Sequence, residues 1–281
     1  MINFNGKILN DDAQFLNQTN RGLKYGDALF ETLRVVNSKI FFLEDHYFRL
    51  MASMRILRME IPENFTMEFL ENQILSTISA NNFTNNAVRV RFTVFRASSG
   101  LYLPSAHNVS YIIDVALLDS PFYLFNDEYY EVELFKDHFI NSGLLSTLKT
   151  NNRIINVVGS IFAEENGYNN CLLLNENKNV VEALNGNLFL IKGNTVITPP
   201  ISDGCINGIL RKKLILLIEK IEEYSIEERP VSPFELQKAD ELFITNVIKG
   251  IQPITKYRKK EYKSEVSQDL LKKLNVQVRL V

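Results

Sequence analysis

Three short stretches carry residue types suited to covalent chemistry at a carbonyl group. Lys149 lies in Leu148-Lys-Thr-Asn-Asn-Arg153, between a Gly/Ser/Leu stretch and an apolar run. A lysine held in a partly desolvated pocket has a lowered pKa and becomes nucleophilic. Glu182 closes the apolar run Val180-Val-Glu, followed by Ala-Leu-Asn-Gly-Asn187-Leu-Phe. A carboxylate at a strand end can pair with a protonated ring nitrogen. Asn207-Gly208-Ile209-Leu210 leads directly into a helical pattern, and free amides at a helix start bind phosphate without a charged side chain. Each also has an ordinary reading: a solvated loop lysine, an exposed strand-end charge, a glycine turn. The chain contains no Walker loop and no Rossmann fingerprint. An amine, an acid and an anion site are what pyridoxal-phosphate (PLP) chemistry requires, for imine formation, protonation of the pyridine and anchoring of the phosphate.

The elements that must position these residues read as α+β. Asn5-Gly6 predicts a tight hairpin between residues 2–4 and 7–9, and Asn37-Ser38 a second one between 28–36 and 40–43. Apolar residues at helical spacing predict helices over 43–59 and 66–81. In 87–95, Val88, Val90, Phe92 and Val94 alternate with Arg89, Arg91 and Thr93, the period of a half-buried strand. A more continuously apolar strand is expected over 110–118. Asp119-Ser-Pro-Phe122 marks a boundary, dividing the chain into a small α+β domain, 1–119, and a larger one, 120–281, carrying Lys149. The second half predicts a strand over 130–136, a helix over 151–166 closed at Gly167, and short strands at 171–174, 180–183, 188–191 and 196–198. A helix over 209–224, a capping box at Ser232-Pro-Phe-Glu235 and a buried strand at 242–245 complete the pattern. Residue 270 onward forms a closing helix or strand.

Composition narrows the class. The 281 residues are 46% apolar and 23% charged, with a formal charge of -2, so no footprint for nucleic acid or an anionic membrane is present. The basic stretch 256–263 is interrupted by Glu261 and reads as a solvated hairpin. No signal-peptide pattern opens the chain and no apolar run approaches a membrane span. Cys171 and Cys205 are in no metal spacing, and His46, His107 and His138 are isolated, so no metal site is expected. The expectation is a cytoplasmic protein acting on a small molecule.

Order and spacing add what single residues do not. Lys149, then Glu182-x-x-x-x-Asn187-Leu-Phe, then Thr198-Pro-Pro and Asn207-Gly-Ile-Leu-Arg211, resembles the class IV aminotransferases, the fold-type IV PLP enzymes. The family includes branched-chain and D-amino acid aminotransferases and aminodeoxychorismate lyase. Tyr25-Gly-Asp-Ala-Leu-Phe-Glu-Thr-Leu-Arg34 resembles its opening strand, Glu44-Asp-His-Tyr-Phe-Arg-Leu50 its first helix, and Ala239 through Pro253 its last core motif. The resemblance implies the two-domain architecture of the D-amino acid aminotransferases, PLP as cofactor and a homodimer, with Tyr102 and its neighbours near the partner's site. It implies Lys149 as the Schiff-base lysine and the base moving the Cα proton, Glu182 facing the pyridine nitrogen, and Arg49 with the amides of Ile209 and Leu210 holding the phosphate. Leu210 and Val247 stand where many relatives carry hydroxyl residues, which implies a leaner phosphate site. Tyr25, Thr32, Arg34, Arg91 and Asn246 are the implied substrate contacts.

Departures from each branch bear on the reaction. Ile154 stands where the branched-chain enzymes resembled here have Tyr, and the loop 97–104 lacks the Arg-x-His pair of the D-amino acid enzymes. Lys149-x-x-Asn152-Arg153, Thr245-Asn246 and Thr32 are more similar to the lyase branch. The implied activity is loss of pyruvate from 4-amino-4-deoxychorismate, giving 4-aminobenzoate for folate synthesis, with Arg34, Arg91 or Arg96 clamping a carboxylate. The alternative is a class IV aminotransferase acting on a branched-chain or other amino acid with 2-oxoglutarate. A non-catalytic PLP carrier is a third reading, resting on Leu210 and Val247. A cofactor-free Schiff-base aldolase leaves the phosphate elements unexplained.

Overall fold

A computed structural model describes residues 1–280 of the chain, and contacts divide them into two units. One comprises Met1–Pro121 with Lys149–Asn152; the other comprises Phe122–Leu148 with the described residues from Arg153 onward.

The first unit is built on one antiparallel sheet. Its elements are β1 (Ile2–Phe4), β2 (Lys7–Leu9), the short α1 (Arg21–Tyr25), β3 (Ala28–Val36), β4 (Lys39–Ile40), α2 (Leu43–Ile56), α3 (Met67–Ala80), β5 (Ala87–Arg96) and β6 (Val109–Leu117). The strand order is β2-β1-β6-β5-β3-β4. Both expected hairpins form, and Asn5, Gly6, Asn37 and Ser38 all have positive φ, as a type I′ turn demands. The alternation in β5 buries Val88, Val90, Phe92 and Val94 and leaves Arg89, Arg91 and Thr93 half-buried. In α2, Glu44 and Asp45 sit in the first turn, where acidic side chains complement the helix dipole. Thr66 caps α3 by accepting from the Phe69 amide at 3.1 Å. Helix α2 packs on β3, and α3 packs on β6 and β1. One sheet face is thereby covered.

Lys149–Asn152 belongs with this unit because it runs beside β3. Phe30 donates its amide to Lys149 O at 2.9 Å, Asn151 donates to Ala28 O at 3.0 Å, and Thr150 bridges to Leu29. The helix expected from residue 151 starts only at Ile154 for the same reason, since an extended segment cannot also be helical.

The second unit contains β7 (Glu131–Ile140), α4 (Ile154–Glu165), β8 (Asn170–Asn175), β9 (Val180–Ala183), β10 (Asn187–Lys192), β11 (Thr195–Thr198), α5 (Ile209–Ile218), β12 (Ser225–Glu228), α6 (Pro233–Leu236), β13 (Glu241–Asn246), β14 (Gly250–Ile254), β15 (Lys256–Tyr257), β16 (Lys260–Glu261) and α7 (Glu265–Leu280). They form two sheets, ordered β12-β11-β10-β13-β14 and β16-β15-β7-β8-β9. Their shared core includes Leu172, Leu174, Val180, Leu188, Leu242 and Tyr257. A second cluster, Phe135, Ala163, Cys171 and Leu173, lies under α4. Helix α5 stops six residues before its expected end. Residues 219–224 turn instead, with the Ile221 and Tyr224 amides donating to Ile218 O at 2.9 Å and Ile221 O at 3.2 Å, and the chain then enters β12, the parallel partner of β11. The last described residues, Glu265–Leu280, are helical, the basic stretch forms the β15–β16 hairpin, and the Ser232 capping box is present.

Arg96 shows how the first unit is pinned. Its side chain is almost fully buried and donates to Asp27 at 2.9 Å, Leu57 O at 2.8 Å and Arg58 O at 3.1 Å, with His107 Nδ1 at 3.0 Å. Asp27 also accepts from Arg21 at 2.8 Å. These bonds hold the end of α2 to the sheet, so the carboxylate-clamp role considered for Arg96 is replaced by a structural one. Arg96→Met is expected to cost about 3–5 kcal/mol, because Asp27 and two carbonyls lose a buried cation. Urea unfolding of the variant against wild type measures this.

Candidate active site

In the first unit, the sheet face opposite α2 and α3 carries the candidate chemistry. The β3–β5 register sets Phe30 opposite Thr93, Thr32 opposite Arg91 and Arg34 opposite Arg89, so these side chains share one face. Lys149 is half-buried, and its Nζ lies 4.4 Å from the centroid of the Phe30 ring. The Arg91 guanidinium lies 3.8 Å from the same centroid, donates to Thr93 Oγ1 at 3.3 Å and to Asn151 Oδ1 at 3.4 Å. One aromatic ring therefore contacts both cations, an arrangement worth most where water is excluded. Burial lowers the Arg91 pKa, opposed by Asp114 and reinforced by Arg89. Burial raises Asp114 despite the pull of Arg89 and Arg91. Phe30 was legible as sharing this face, but its contact with Lys149 was not.

The other expected residues of this unit are more committed locally. Arg34 is buried and donates to the Ser120 carbonyl. Thr32 is half-buried on the Arg91 side. Tyr25 ends α1, beneath the Arg21 guanidinium at 5.0 Å and beside the Tyr102 ring at 5.6 Å.

Arg49 sits on the covered side of the sheet. Its Nε donates to Glu31 Oε1 at 2.8 Å and its Nη2 to Glu31 Oε2 at 2.5 Å, while His46 Nδ1 lies 2.7 Å from Oε2. Burial pushes the Glu31 carboxyl up, but the Arg49 charge and the hydrogen bonds from His46 and Arg49 outweigh it and hold the group at about 2. Burial pushes His46 below its ordinary range; the Glu31 bond opposes this, and the charges of Arg49 and Lys149 reinforce it. Sequence reasoning missed Glu31 and His46. The available signals were an acid inside an apolar strand and a histidine three residues before Arg49, on one helix face.

In the second unit, Glu182 is 3% exposed at the end of β9, and its Oε2 accepts from the Ile206 amide at 2.9 Å. Its charge also acts on Arg153, whose pKa is lowered by burial and raised by Glu182. Asn187 donates to Ile206 O at 2.9 Å, so the loop before α5 is held at two consecutive backbone groups. Gly208 is required here by close approach, because a Cβ would stand 2.0 Å from Asn187 Oδ1. Helix α5 begins with no side-chain cap and no acidic residue in its first turn, leaving the amides of Ile209 and Leu210 directed outward from the helix start. The side chains of both residues are buried. Val247 contributes its carbonyl to Tyr123 Oη at 2.9 Å. Asn246 accepts from Ile248 and Lys249 amides at 3.1 and 2.9 Å and donates to Asn185 O at 3.1 Å, so its amide organises the turn. Cys205, buried nearby, is pushed up to about 12 by burial and the Glu182 charge, which keeps it a protonated thiol.

The second-unit group fits PLP. A buried carboxylate suits a protonated ring nitrogen, and an uncapped, acid-free helix start suits a phosphate. Comparison with known proteins agrees. The family described as amino-transferase class IV matches residues 28–257. The chain belongs to the class IV aminotransferases. It is therefore an enzyme, and PLP is the cofactor of its family. It is 28% identical over 253 residues to a provisionally named branched-chain-amino-acid aminotransferase of Methanocaldococcus jannaschii, covering 90% of this chain and 86% of the relative. The fold is also that of the branched-chain amino acid aminotransferase of Thermobaculum terrenum in its PLP form, with TM-score 0.86, 24% identity and coverage of 99% and 93%. A provisionally named 4-amino-4-deoxychorismate lyase of Legionella pneumophila shares it with TM-score 0.82, 24% identity and coverage of 95% and 96%.

The Glu31 cluster makes an acid-sensitivity prediction. The folded pKa of Glu31 lies below its ordinary 4.5, so its stabilisation is complete above that value and is lost as pH falls toward 2. The folded pKa of His46 also lies below its ordinary 6.5. The unfolded chain therefore takes up a proton first, and stability starts to fall below that pH. Glu31→Gln is expected to cost about 3–5 kcal/mol at neutral pH, by leaving Arg49 without its buried counter-charge. Urea unfolding between pH 3 and 8 should show the difference between wild type and variant shrinking below pH 4.5.

Proposed function

We propose that this enzyme is a PLP-dependent lyase converting 4-amino-4-deoxychorismate to 4-aminobenzoate and pyruvate, a step toward folate. The observation that carries this reading is the polar, cationic wall beside Lys149. Arg91, Thr93 and Asn151 are joined by hydrogen bonds next to Thr32, and in this reading they would meet the substrate where a branched aliphatic side chain would require apolar contacts. The proposed substrate carries two carboxylates, and Arg91 presents a planar fork suited to one of them. Thr32 would contact the same substrate, with Tyr25 and Arg34 bounding the site. Asn246 would act by shaping its turn.

Bound PLP supplies the electron sink that makes the proton on the amine-bearing carbon removable. Lys149 Nζ would hold the cofactor and accept that proton, with the Phe30 ring screening it from water. Glu182 would keep the pyridine nitrogen protonated, its carboxylate aimed by the Ile206 amide. Arg49 and the amides of Ile209 and Leu210 would hold the phosphate, with no hydroxyl from Leu210 or Val247. A homodimer forms part of this reading, supported by Ile154, Val157 and Ile161 exposed along α4.

The second reading is an aminotransferase acting on a branched-chain or other amino acid with 2-oxoglutarate. The Methanocaldococcus relative favours it, as does the apolar Phe30 ring beside Lys149. Incubation with 4-amino-4-deoxychorismate is expected to release 4-aminobenzoate and pyruvate. Glutamate formation from amino acids and 2-oxoglutarate, without 4-aminobenzoate, would overturn the lyase reading. Lys149→Ala is expected to lower turnover by about a thousandfold or more. Arg91→Met is expected to lower kcat/KM by roughly 10–100-fold, mainly through KM, as steady-state kinetics would show.

A further inference from the structure

The group least accounted for is His46. It is 1% exposed, and its Nδ1 lies 2.7 Å from Glu31 Oε2. Its Nε2 meets no hydrogen-bond partner. A small cavity that His46 helps to line is bordered mainly by apolar side chains, Leu33, Leu43, Leu50, Leu70, Ile74 and Phe92, besides Glu31 and Tyr47. A carboxylate that also accepts twice from Arg49 has no proton to give. The proton between His46 and Glu31 must therefore sit on Nδ1, which fixes the tautomer of the neutral ring. A buried histidine kept with one nitrogen unsatisfied carries a standing cost, and the interaction on its other side is what offsets that cost.

That other side leads to Arg49. Glu31 grips the Nε and Nη2 edge of the guanidinium in a bidentate pair, and such a pair sets the plane of the guanidinium as well as its position. Oε2 is the oxygen shared by His46 and Arg49 Nη2. Rotation of the carboxylate would break both contacts, so the Nδ1–H bond resists the rotation that would let the guanidinium plane turn. We propose that His46 is a positioning residue for Arg49, acting through Glu31, and that it contributes to cofactor affinity specifically through the phosphate. This rests on the reading of Arg49 as a phosphate partner.

The test compares two probes, PLP and pyridoxal, the second lacking the phosphate. Enzyme stripped of cofactor is titrated with each, following absorbance and protein fluorescence, and the ratio of the two dissociation constants reports the phosphate contribution. Arg49→Met is the reference and is expected to reduce the ratio; an unchanged ratio removes the phosphate reading and this inference with it. With that reference met, His46→Leu is expected to reduce the ratio by about tenfold, with pyridoxal binding unchanged. His46→Asn places an amide N–H near the Nδ1 position and is expected to keep the ratio within about threefold of wild type. His46→Gln places its N–H near the Nε2 position and is expected to behave as Leu. The Asn and Gln pair decides the matter if the Leu variant does not fold. A wild-type ratio in both His46→Leu and His46→Gln, or equal weakening of PLP and pyridoxal, overturns the role of His46 while leaving that of Arg49 intact.

Discussion

A carboxylate sealed inside a protein survives only if its surroundings supply charge and hydrogen bonds to replace water. Glu31 meets that constraint in the middle of β3, where Arg49 and His46 of α2 both converge on it. The consequences extend along the strand in both directions. Phe30, its neighbour, binds the Lys149 carbonyl through its amide and touches the lysine amine with its ring. Thr32, on the other side, opens the polar face shared with Arg91. Adjacent residues of a strand point to opposite faces, so one segment ties α2 to one face of the sheet and Lys149 to the other. The ion pair and the candidate nucleophile share a single rigid support.

The second unit works with backbone instead of charge. Its phosphate-type feature is the start of α5, made available because Gly208 lies too close to Asn187 for any side chain. The same loop gives its Ile206 amide to Glu182 and its Ile206 carbonyl to Asn187. One short segment therefore orients both an acid and a helix start that has no side-chain cap. The Leu210 amide is present at this helix start whatever the side chain, because a backbone group does not depend on it.

Much of this was legible in residue order. Hairpins at Asn5-Gly6 and Asn37-Ser38, alternation in β5 and the capping box at Ser232 all carry local signals, and local signals survive folding. The misreadings share a cause. The start of α4 was set by its strand partner β3, which lies far away in sequence, and the end of α5 by the turns that lead into β12. Arg96 was open to a carboxylate-clamp reading because nothing local shows that Leu57, Arg58 and His107 surround it.

The sequence by itself determined the family and, with it, the family's cofactor, since these rest on residue types in a fixed order along most of the chain. Only the tertiary structure decided which arginines are committed to structure, that Lys149 is carried on the first unit, and that Glu31 and His46 stand behind Arg49. Those outcomes depend on which groups share a low-dielectric space. Burial and partner geometry are properties of the packed chain, and no spacing between neighbours encodes them.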